Sequence, residues 1–476
     1  MIARVAAVQS LEPVENPPDV EELKQSFRGQ IVCPDDDDYE EARKVWNASI
    51  DRRPSIIARC SGTADVMSAV KFAGRNEMLV AVRGGAHNVA GNAVCDGGIV
   101  IDLSRLKGIW VDPAARTARV QPGVTWGELD RETQAFGLAT PGGLVSTTGI
   151  AGFTLGGGIG WLSRKFGTAS DNLLSVDLVT AAGDHLRASA TENPELFWGV
   201  RGGGGNFGVV TSFELRLHPV GPTVLGGLMF YSADRAPQVL RLVRDFLLAP
   251  DELFSVAVLR LAPPAPFLPA GVHGTSVIVL ALCWAGPIEE GREILRPLRD
   301  LGEPLADQVT PRPYTQLQSM IDAGGSAGFH NYWKAQYLRD LPENAIDTII
   351  SSAATITSPI SDLKVFPMGG AVARASEEDS AFGHRSAPFV ININSRWDMS
   401  AESDRHIQWT REFWSAVQPF STGGVYVNFL GDEGQDRVRA AYGEAKYNRL
   451  VALKNKYDPA NLFQLNQNIK PTVGRV

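Results

Sequence analysis

Glycine is concentrated in three clusters between residues 83 and 208 of this 476-residue chain. The first cluster is Arg83-Gly84-Gly85-Ala86-His87-Asn88, the second lies within residues 141–160, and the third spans residues 201–208. Because glycine has no Cβ, such clusters allow backbone N–H groups to approach a ligand closely. Three separated clusters therefore predict a ligand that contacts the backbone along much of its length.

The first cluster directly follows a short apolar run. Residues 78–82 read Met-Leu-Val-Ala-Val, a pattern typical of a buried strand. A strand that ends in Gly84-Gly85 forms a turn whose N–H groups can bind phosphate oxygens, and Arg83 can add a charge-assisted contact. His87 follows two residues later, within reach of the bound group. A tight turn with a surface histidine is the alternative for this motif taken alone.

The composition excludes several classes of partner. Hydrophobic residues at 44% and charged residues at 21% are ordinary for a globular protein, and a net charge of −8 argues against nucleic acid or an anionic membrane. The four cysteines are far apart, which excludes a recognisable zinc site and gives no disulfide framework. They are Cys33, Cys60, Cys95 and Cys283.

The sequence contains no recognisable targeting or membrane segment. The apolar run at residues 5–8 is too short for the core of a signal peptide. No stretch approaches the roughly 20 apolar residues of a membrane span. We therefore expect a cytoplasmic protein.

The apolar patterns divide the chain into two predicted domains. A strand–helix–strand unit opens the first, with strands at 56–60 and 78–82 around a helix at 63–76, followed by a hairpin at 109–121 and a helix at 123–136. After Pro219 the character changes to strands such as 277–282 and 389–394 that alternate with helices such as 236–247 and 287–298. We interpret this part as a second domain on a largely antiparallel sheet, with a helix at 440–456 in the tail.

Two common nucleotide-binding motifs do not account for the glycines. Gly160 is followed by Trp-Leu-Ser-Arg-Lys, so the block ending there is not a P-loop. The run at residues 156–160 lies in a predicted loop without a preceding strand, which gives little support to an NAD site. The glycines therefore indicate a long phosphorylated cofactor that is held in another way.

Five motifs occur in order along nearly the whole chain. They are Arg83-Gly-Gly-Ala-His87-Asn88; the block 142–160 with Trp161-Leu-Ser-Arg-Lys165-Phe-Gly167 and Asp171-Asn172; Trp198-Gly-Val-Arg-Gly-Gly-Gly-Gly-Asn206-Phe-Gly208; Tyr426-Val-Asn428-Phe; and Tyr457-Asp-Pro459 with Phe463-Gln-Leu-Asn466-Gln467. With these motifs, residues 55–215 resemble the PCMH-type FAD-binding domain of the vanillyl-alcohol oxidase superfamily. The whole chain resembles the berberine-bridge-enzyme-like branch of FAD-linked oxidases.

The resemblance implies an α+β fold. It predicts a two-subdomain FAD-binding domain at 50–218, with residues 1–49 and 440–476 packing on it. It also predicts a substrate-binding domain at 219–439, whose largely antiparallel sheet is covered by helices.

The resemblance further implies how FAD is held. His87 matches the histidine that relatives join covalently to the 8α carbon of the flavin. Val145 stands where many relatives attach the flavin a second time through cysteine, so we expect attachment through His87 only. The other implied contacts are Arg83, Gly84, Gly85, Asn88, Thr147, Gly149 and Gly152 at the pyrophosphate and ring, Gly208 to Val210 at the adenine, Asn466 at the ring, and Thr148 beside the oxygen-reactive carbon.

For catalysis the resemblance implies Tyr426 and Asn428. Hydride transfer from an alcohol or amine requires that a proton also leave, and Tyr426 can accept it if its pKa is lowered. We expect Lys334 or Arg396 to supply the positive charge that lowers it. A tyrosine that merely packs in the core is the alternative. Residues 330–334 and Trp397 are either an aromatic wall of the substrate pocket or ordinary core.

These expectations combine into one predicted function with three rivals. The chain is predicted to be an FAD-dependent oxidase that oxidises a CH–OH or CH–NH group of a sugar, alcohol, amine or secondary metabolite, with O2 as acceptor and H2O2 as product. No nucleic acid or membrane partner is expected. A flavin dehydrogenase with another acceptor, a non-catalytic flavin-binding protein and an NAD enzyme are the alternatives.

Overall fold

The computed structural model describes residues 20–472. The run at residues 5–8 lies outside the described residues. The fold is α+β, as predicted, with strands in three main sheets and helices on their faces. Among the described helices, none combines the length and the apolar character needed to cross a bilayer.

The first sheet contains the predicted strand–helix–strand unit. Its strands are β1 (Gln30–Val32), β2 (Ile56–Arg59), β3 (Val80–Arg83) and β4 (Ile99–Asp102), in the order β1-β2-β4-β3. β4 pairs in parallel with both β2 and β3, whereas β1 is antiparallel to β2. The flanking helices are α1 (Val20–Ser26), α2 (Tyr39–Ala42) and α3 (Thr63–Arg75). α3 buries Val66, Ala69, Val70 and Ala73 against this sheet, at the i, i+3, i+4, i+7 spacing of one helix face.

The second sheet is antiparallel and includes the predicted hairpin. It has the order β5-β6-β10-β8-β9, with β5 (Ile109–Asp112), β6 (Thr117–Val120), β8 (Leu173–Val179), β9 (His185–Ser189) and β10 (Val209–Arg216). A separate ribbon pairs β7 (Leu138–Ala139) with β11 (His218–Pro219). The helices of this region are α4 (Trp126–Gln134), α5 (Ile150–Leu155), α6 (Ser163–Phe166) and α7 (Pro194–Val200).

The third sheet is the largest. The path β15-β12-β14-β13-β18-β19-β17 is antiparallel throughout, and β16 pairs with β12 beside β15. The strands are β12 (Thr223–Ser232), β13 (Leu253–Leu261), β14 (Ser276–Trp284), β15 (Ala306–Asp307), β16 (Thr310–Pro313), β17 (His330–Leu338), β18 (Asp362–Pro367) and β19 (Phe389–Trp397).

Helices cover one face of the third sheet and leave the other face to line a cavity. The covering helices are α8 (Ala236–Asp245), α9 (Ile288–Ile294), α10 (Arg296–Arg299), α12 (Glu343–Ala353) and α14 (Ser403–Ala416). Two short helices, α11 (Tyr314–Gln318) and α13 (Gly370–Arg374), pack on the other side, in a core that contains Val256 and Ala281. α8, α12 and α14 bury Val243, Ile349 and Phe413 in one core with sheet residues such as Leu280 and Ile391. Side chains alternate along a strand, so the neighbouring residues of the same strands face the other way.

Two predicted helices have different limits, and the short helix α2 ends at Ala42, beyond which the Trp46 N–H donates to the Ala86 carbonyl at 3.2 Å. The helix predicted at 287–298 is broken into α9 and α10. The tail helix is also two, α15 (Gln435–Tyr442) and α16 (Glu444–Tyr457), because Gly443 between them has φ of 73°, a left-handed conformation.

Candidate functional site

A cavity of about 770 Å³ lies between the glycine clusters and the uncovered face of the third sheet. Its volume falls within the range of cofactor and ligand sites, roughly 300–1,000 Å³. Residues from all three clusters and from the tail contribute to its wall. Among the predicted site residues it is lined by Gly84, Gly85, His87, Asn88, Thr148, Gly149, Gly152, Gly208, Val210, Tyr426, Asn428 and Asn466.

The first two glycine clusters pack backbone against backbone. A Cβ added to Gly85 would lie 2.6 Å from the Cα and N atoms of Gly149, so a side chain at either position would separate the two loops. The cavity side of the clusters is different, because a Cβ on Gly152 or Gly205 would meet no atom within 4 Å. The glycines thus let the loops meet and also leave free space along the cavity wall.

His87 stands in this wall as a neutral imidazole. Its ring stacks on Trp46, with centroids 5.4 Å apart and planes 20° apart, and Nε2 lies 3.4 Å from Thr147 Oγ1. Burial lowers the pKa of His87 to about 4, which leaves the imidazole unprotonated and therefore nucleophilic at neutral pH. Thr147 itself does not line the cavity, and it contacts His87 instead.

Arg83 does not face the cavity, which corrects the prediction that it binds phosphate. Its guanidinium is buried and donates to the carbonyls of Ala42, Ala93 and Arg43, the last two at 3.4 Å. Asp102 lies 3.7 Å away on the neighbouring strand. Arg83 therefore holds the segments on either side of the first cluster in place.

The tail reaches the cavity because a buried ion pair fixes it to the third glycine cluster. Lys454 donates to Asp458 at 2.7 Å, to the Asn206 carbonyl at 3.0 Å and to the Phe463 carbonyl at 2.9 Å. Asn466 follows, with Nδ2 donating to Phe463 at 2.9 Å. Its Oδ1 is buried without a hydrogen-bond partner among the described residues, although the side chain lines the cavity.

These features fit FAD. The free space at Gly152 and Gly205 accommodates a group that lies against backbone, and the unpartnered Asn466 Oδ1 can accept a hydrogen bond from it. Val145 also lines the cavity, at the position where the resemblance leads one to look for a second covalent link. The first and second clusters, the third cluster and Asn466 are the residues that would hold the cofactor.

Tyr426 is buried and lies in the cavity wall with its hydroxyl surrounded by donors. Oη accepts hydrogen bonds from the N–H groups of Gly158 at 2.9 Å and Ile159 at 3.2 Å, and from Asn428 Nδ2 at 2.9 Å. Asn428 also donates to Phe153 at 3.0 Å, which fixes its amide. Tyr426 therefore lines the cavity with an oriented hydroxyl, and its ring also packs in the core against Phe382 and Phe429.

The predicted lowering of the Tyr426 pKa is wrong. Burial raises the pKa to about 12, against the opposing effect of its three hydrogen bonds. Lys334 does not line the cavity and donates to Glu433 at 2.5 Å, while Arg396 donates to the carbonyls of Gly324 and Ser326. Neither cation is bonded to Tyr426.

The aromatic segment is divided between the two faces of β17. Asn331 and Trp333 line the cavity, whereas His330 stacks on Trp397 with centroids 5.7 Å apart and neither is part of the lining. Phe429 also lines it and packs edge-on against Tyr426 at 4.8 Å. The sequence pattern alone did not distinguish wall from core here.

A polar group on the third sheet was not among the predicted site residues, apart from Arg396. Lys364 donates to Asp362, and Asn394 Nδ2 donates to the same carboxylate oxygen at 3.0 Å. Burial lowers the pKa of Lys364. The group, all lining the cavity, is Arg260, Asp362, Lys364, Asn392, Asn394 and Arg396. The signal was present as alternating polar residues, 362/364 and 392/394/396, in otherwise apolar strands.

Comparisons with known proteins agree with this geometry. Residues 54–189 match a family described as an FAD binding domain, and residues 425–470 match one described as berberine and berberine like. An FAD-linked oxidoreductase of Dictyostelium discoideum is 32% identical over 95% of this chain and 97% of its own length. The (R)-6-hydroxynicotine oxidase of Paenarthrobacter nicotinovorans is 32% identical over 94% and 97%.

The fold also matches a solved enzyme structure. The crystal structure of 6-hydroxy-D-nicotine oxidase from Arthrobacter nicotinovorans superposes with a TM-score of 0.83 at 28% identity. The match covers 94% of this chain and 98% of that one. It extends through the FAD-binding region and the third sheet.

Proposed function

Because the chain belongs to the berberine-bridge-enzyme-like FAD-linked oxidoreductases, we propose that it is an oxidase that holds FAD covalently through His87 alone. It oxidises a CH–OH or CH–NH group of a small molecule, with O2 as acceptor and H2O2 as product. The (R)-6-hydroxynicotine oxidase, which matches this chain over nearly its whole length, is named as an oxidase, and this supports O2 as the acceptor. Residues 50–218 with the tail form the FAD domain in this proposal, and residues 219–439 form the substrate domain.

The observation that carries the proposal is the state and place of His87. A half-buried neutral imidazole in the cavity wall, oriented by Trp46 and Thr147, has the free electron pair that a covalent bond to carbon requires. A protonated histidine would lack it. Burial thus supplies the nucleophile without a neighbouring base.

When bound, FAD supplies the redox chemistry: it accepts a hydride from the substrate carbon and passes two electrons to O2. The chain's own residues bind, orient and move the proton. We propose that Tyr426 Oη accepts the proton that leaves the substrate O–H or N–H. The Gly158, Ile159 and Asn428 donors stabilise the phenolate that performs this step.

Acid precipitation of the purified protein tests the attachment. A covalent flavin stays with the pellet, and peptide mass analysis then finds it on the peptide that contains His87 and on no cysteine peptide. Flavin in the supernatant would reduce His87 to a noncovalent contact. A His87→Ala variant that kept acid-stable flavin would overturn the assignment of the site.

Reoxidation tests the acceptor separately. The flavin is reduced under anaerobic conditions and mixed with air-saturated buffer in a stopped-flow instrument. The proposal expects fast reoxidation, with one H2O2 formed per flavin. Slow reoxidation would assign the chain to the dehydrogenases instead. A flavin that no alcohol or amine bleaches would favour a non-catalytic binding protein.

A further inference from the structure

The uncovered face of the third sheet is divided into an apolar half and a polar half. On β12, β13 and β14 the cavity-lining residues are almost all apolar. They are Leu228, Phe230, Val256, Val258, Val279 and Ala281. On β18 and β19 the same face carries Lys364, Asp362 and two asparagines.

The strand register brings the two halves into direct contact. Val258 on β13 is paired with Lys364 on β18, and Lys364 is paired with Asn392 on β19. In the next row Asp362 is paired with Asn394. A ligand that lies across the strands therefore meets an apolar surface at one end and a polar one at the other.

One atom of each of two side-chain amides in the polar half lacks a hydrogen-bond partner. Asn392 Nδ2 and Asn394 Oδ1 are buried and unpartnered within residues 20–472, and both side chains line the cavity. Buried polar atoms of this kind are normally satisfied, and leaving one unsatisfied costs about 1–3 kcal/mol. The two atoms therefore indicate a ligand with a hydrogen-bonding group at this place.

The charges of the wall indicate the sign of that group. Of the described residues that line the cavity, Arg260, Lys364 and Arg396 are cationic and Asp362 is the one carboxylate. Asp362 offsets one of the three positive charges and accepts one of the three N–H groups of Lys364, while Arg396 donates to two backbone carbonyls. A net positive, largely buried wall favours an anionic ligand, because charges removed from water require a partner.

We propose that the substrate carries an anionic oxygen group, a carboxylate or a phenolate, on an apolar body. The inference rests on the proposed function and narrows its substrate class. The anionic group is held by Lys364 and the Asn392 amide, and the body lies along β12–β14. The uncharged, hydroxyl-rich body of an oligosaccharide would leave its polar groups unpaired against the apolar half.

Binding of unreactive probes to the flavin-loaded protein tests the proposal. We would titrate it with 3-phenylpropionate, with its neutral amide 3-phenylpropionamide, and with gluconate, and follow the flavin absorbance and the melting temperature. The expected order is 3-phenylpropionate at least tenfold tighter than the other two. A phenolate probe, 4-nitrophenolate, then distinguishes the two anion types. The probes bind without being oxidised, so they give a binding result even if no tested alcohol or amine bleaches the flavin.

Lys364→Met is expected to weaken the binding of 3-phenylpropionate by about tenfold to a hundredfold and to leave the binding of 3-phenylpropionamide unchanged. Lys334→Met is the matched control, because Lys334 lies on β17 of the same sheet and is ion-paired with Glu433, but it does not line the cavity. If removing Lys364 alone prevents folding, the uncharged pair Asp362→Asn with Lys364→Met replaces it.

Three results would overturn the proposal. The first is equal binding of carboxylate and amide to the unmodified protein. The second is an unchanged ratio in the Lys364 variants. The third is failure of those variants to incorporate flavin, which would mean that Lys364 serves the cofactor.

Discussion

The rate of substrate oxidation is expected to rise with pH throughout the range in which the protein is stable, because the proposed proton acceptor is the phenolate of Tyr426. With a pKa of about 12, the phenolate fraction is on the order of 1 in 10⁴ at pH 8. This fraction grows tenfold for each pH unit until the pKa is reached. Between pH 7 and pH 10 the rate of the chemical step should therefore increase on the order of a thousandfold.

The assay is anaerobic bleaching of the flavin by a saturating alcohol in a stopped-flow instrument, which excludes the oxygen step. Tyr426→Phe should slow bleaching by about 10²–10⁴-fold and remove the pH dependence. Tyr231→Phe is the matched control. Burial also raises the pKa of Tyr231 to about 12, but its hydroxyl donates to the Leu298 carbonyl outside the cavity. Its profile should equal that of the unmodified protein.

A plateau in the profile below pH 10 would refute the reasoning, since it would mean that the proton acceptor has a much lower pKa than buried Tyr426. Retention of the rise in Tyr426→Phe would refute the assignment of the acceptor itself. Asn428 offers an internal check. Its Nδ2 lowers the pKa of Tyr426, so Asn428→Leu should slow bleaching further at each pH while keeping the slope.

Three further predictions concern the cofactor site and its support. The rate of covalent FAD incorporation into the apoprotein, followed as acid-stable flavin, should not change above about pH 5 and should fall tenfold per pH unit below about pH 4, because neutral His87 is the proposed nucleophile. A fall that began near pH 6.5 would contradict the lowered pKa of His87. Gly149→Ala should lower the free energy of unfolding by about 1–3 kcal/mol and weaken FAD binding, because the added Cβ would meet Gly85. In the same urea titrations the control Gly205→Ala, whose Cβ points into free space, should leave the free energy of unfolding nearly unchanged. Lys454→Met should lower the free energy of unfolding by about 3–5 kcal/mol, because it leaves Asp458 buried without its cation. Lys107→Met, in an exposed pair, should lower it by less than about 1 kcal/mol, and equal losses would contradict the role of burial.

The sequence could predict the fold because it is carried by local patterns, whereas the candidate cofactor residues came from the resemblance carried by the five motifs. Strand β3 ending in Gly84-Gly85 is a local signal, and so is the hairpin of β5 and β6. His87 was identified both by the local pattern and by the resemblance. The breaks between α9 and α10 and between α15 and α16 were not predicted. A local pattern marks the second break only weakly, since Gly443 is one residue in an otherwise helical stretch.

The orientation and environment of side chains could not be read in this way. An arginine at a strand end can turn toward the loop or back into the fold, and Arg83 turns back because three carbonyls converge on it. The pKa of Tyr426 depends on burial by segments far apart in sequence, so its direction was mispredicted. Lys364 and Asn392 are 28 residues apart and meet only through the register of β18 and β19.

Trp46 shows how such distant segments assemble one site. Its N–H donates to Ala86 in the first glycine cluster, and its indole Nε1 donates at 2.6 Å to Gly325 in the loop before β17. Its ring stacks on His87 and meets Trp333 edge-on at 5.6 Å. One residue from a segment that precedes β2 thus links the first glycine cluster to the third sheet. The spacing between His87 and the cavity face of that sheet therefore depends on Trp46, although no motif in the sequence marks it.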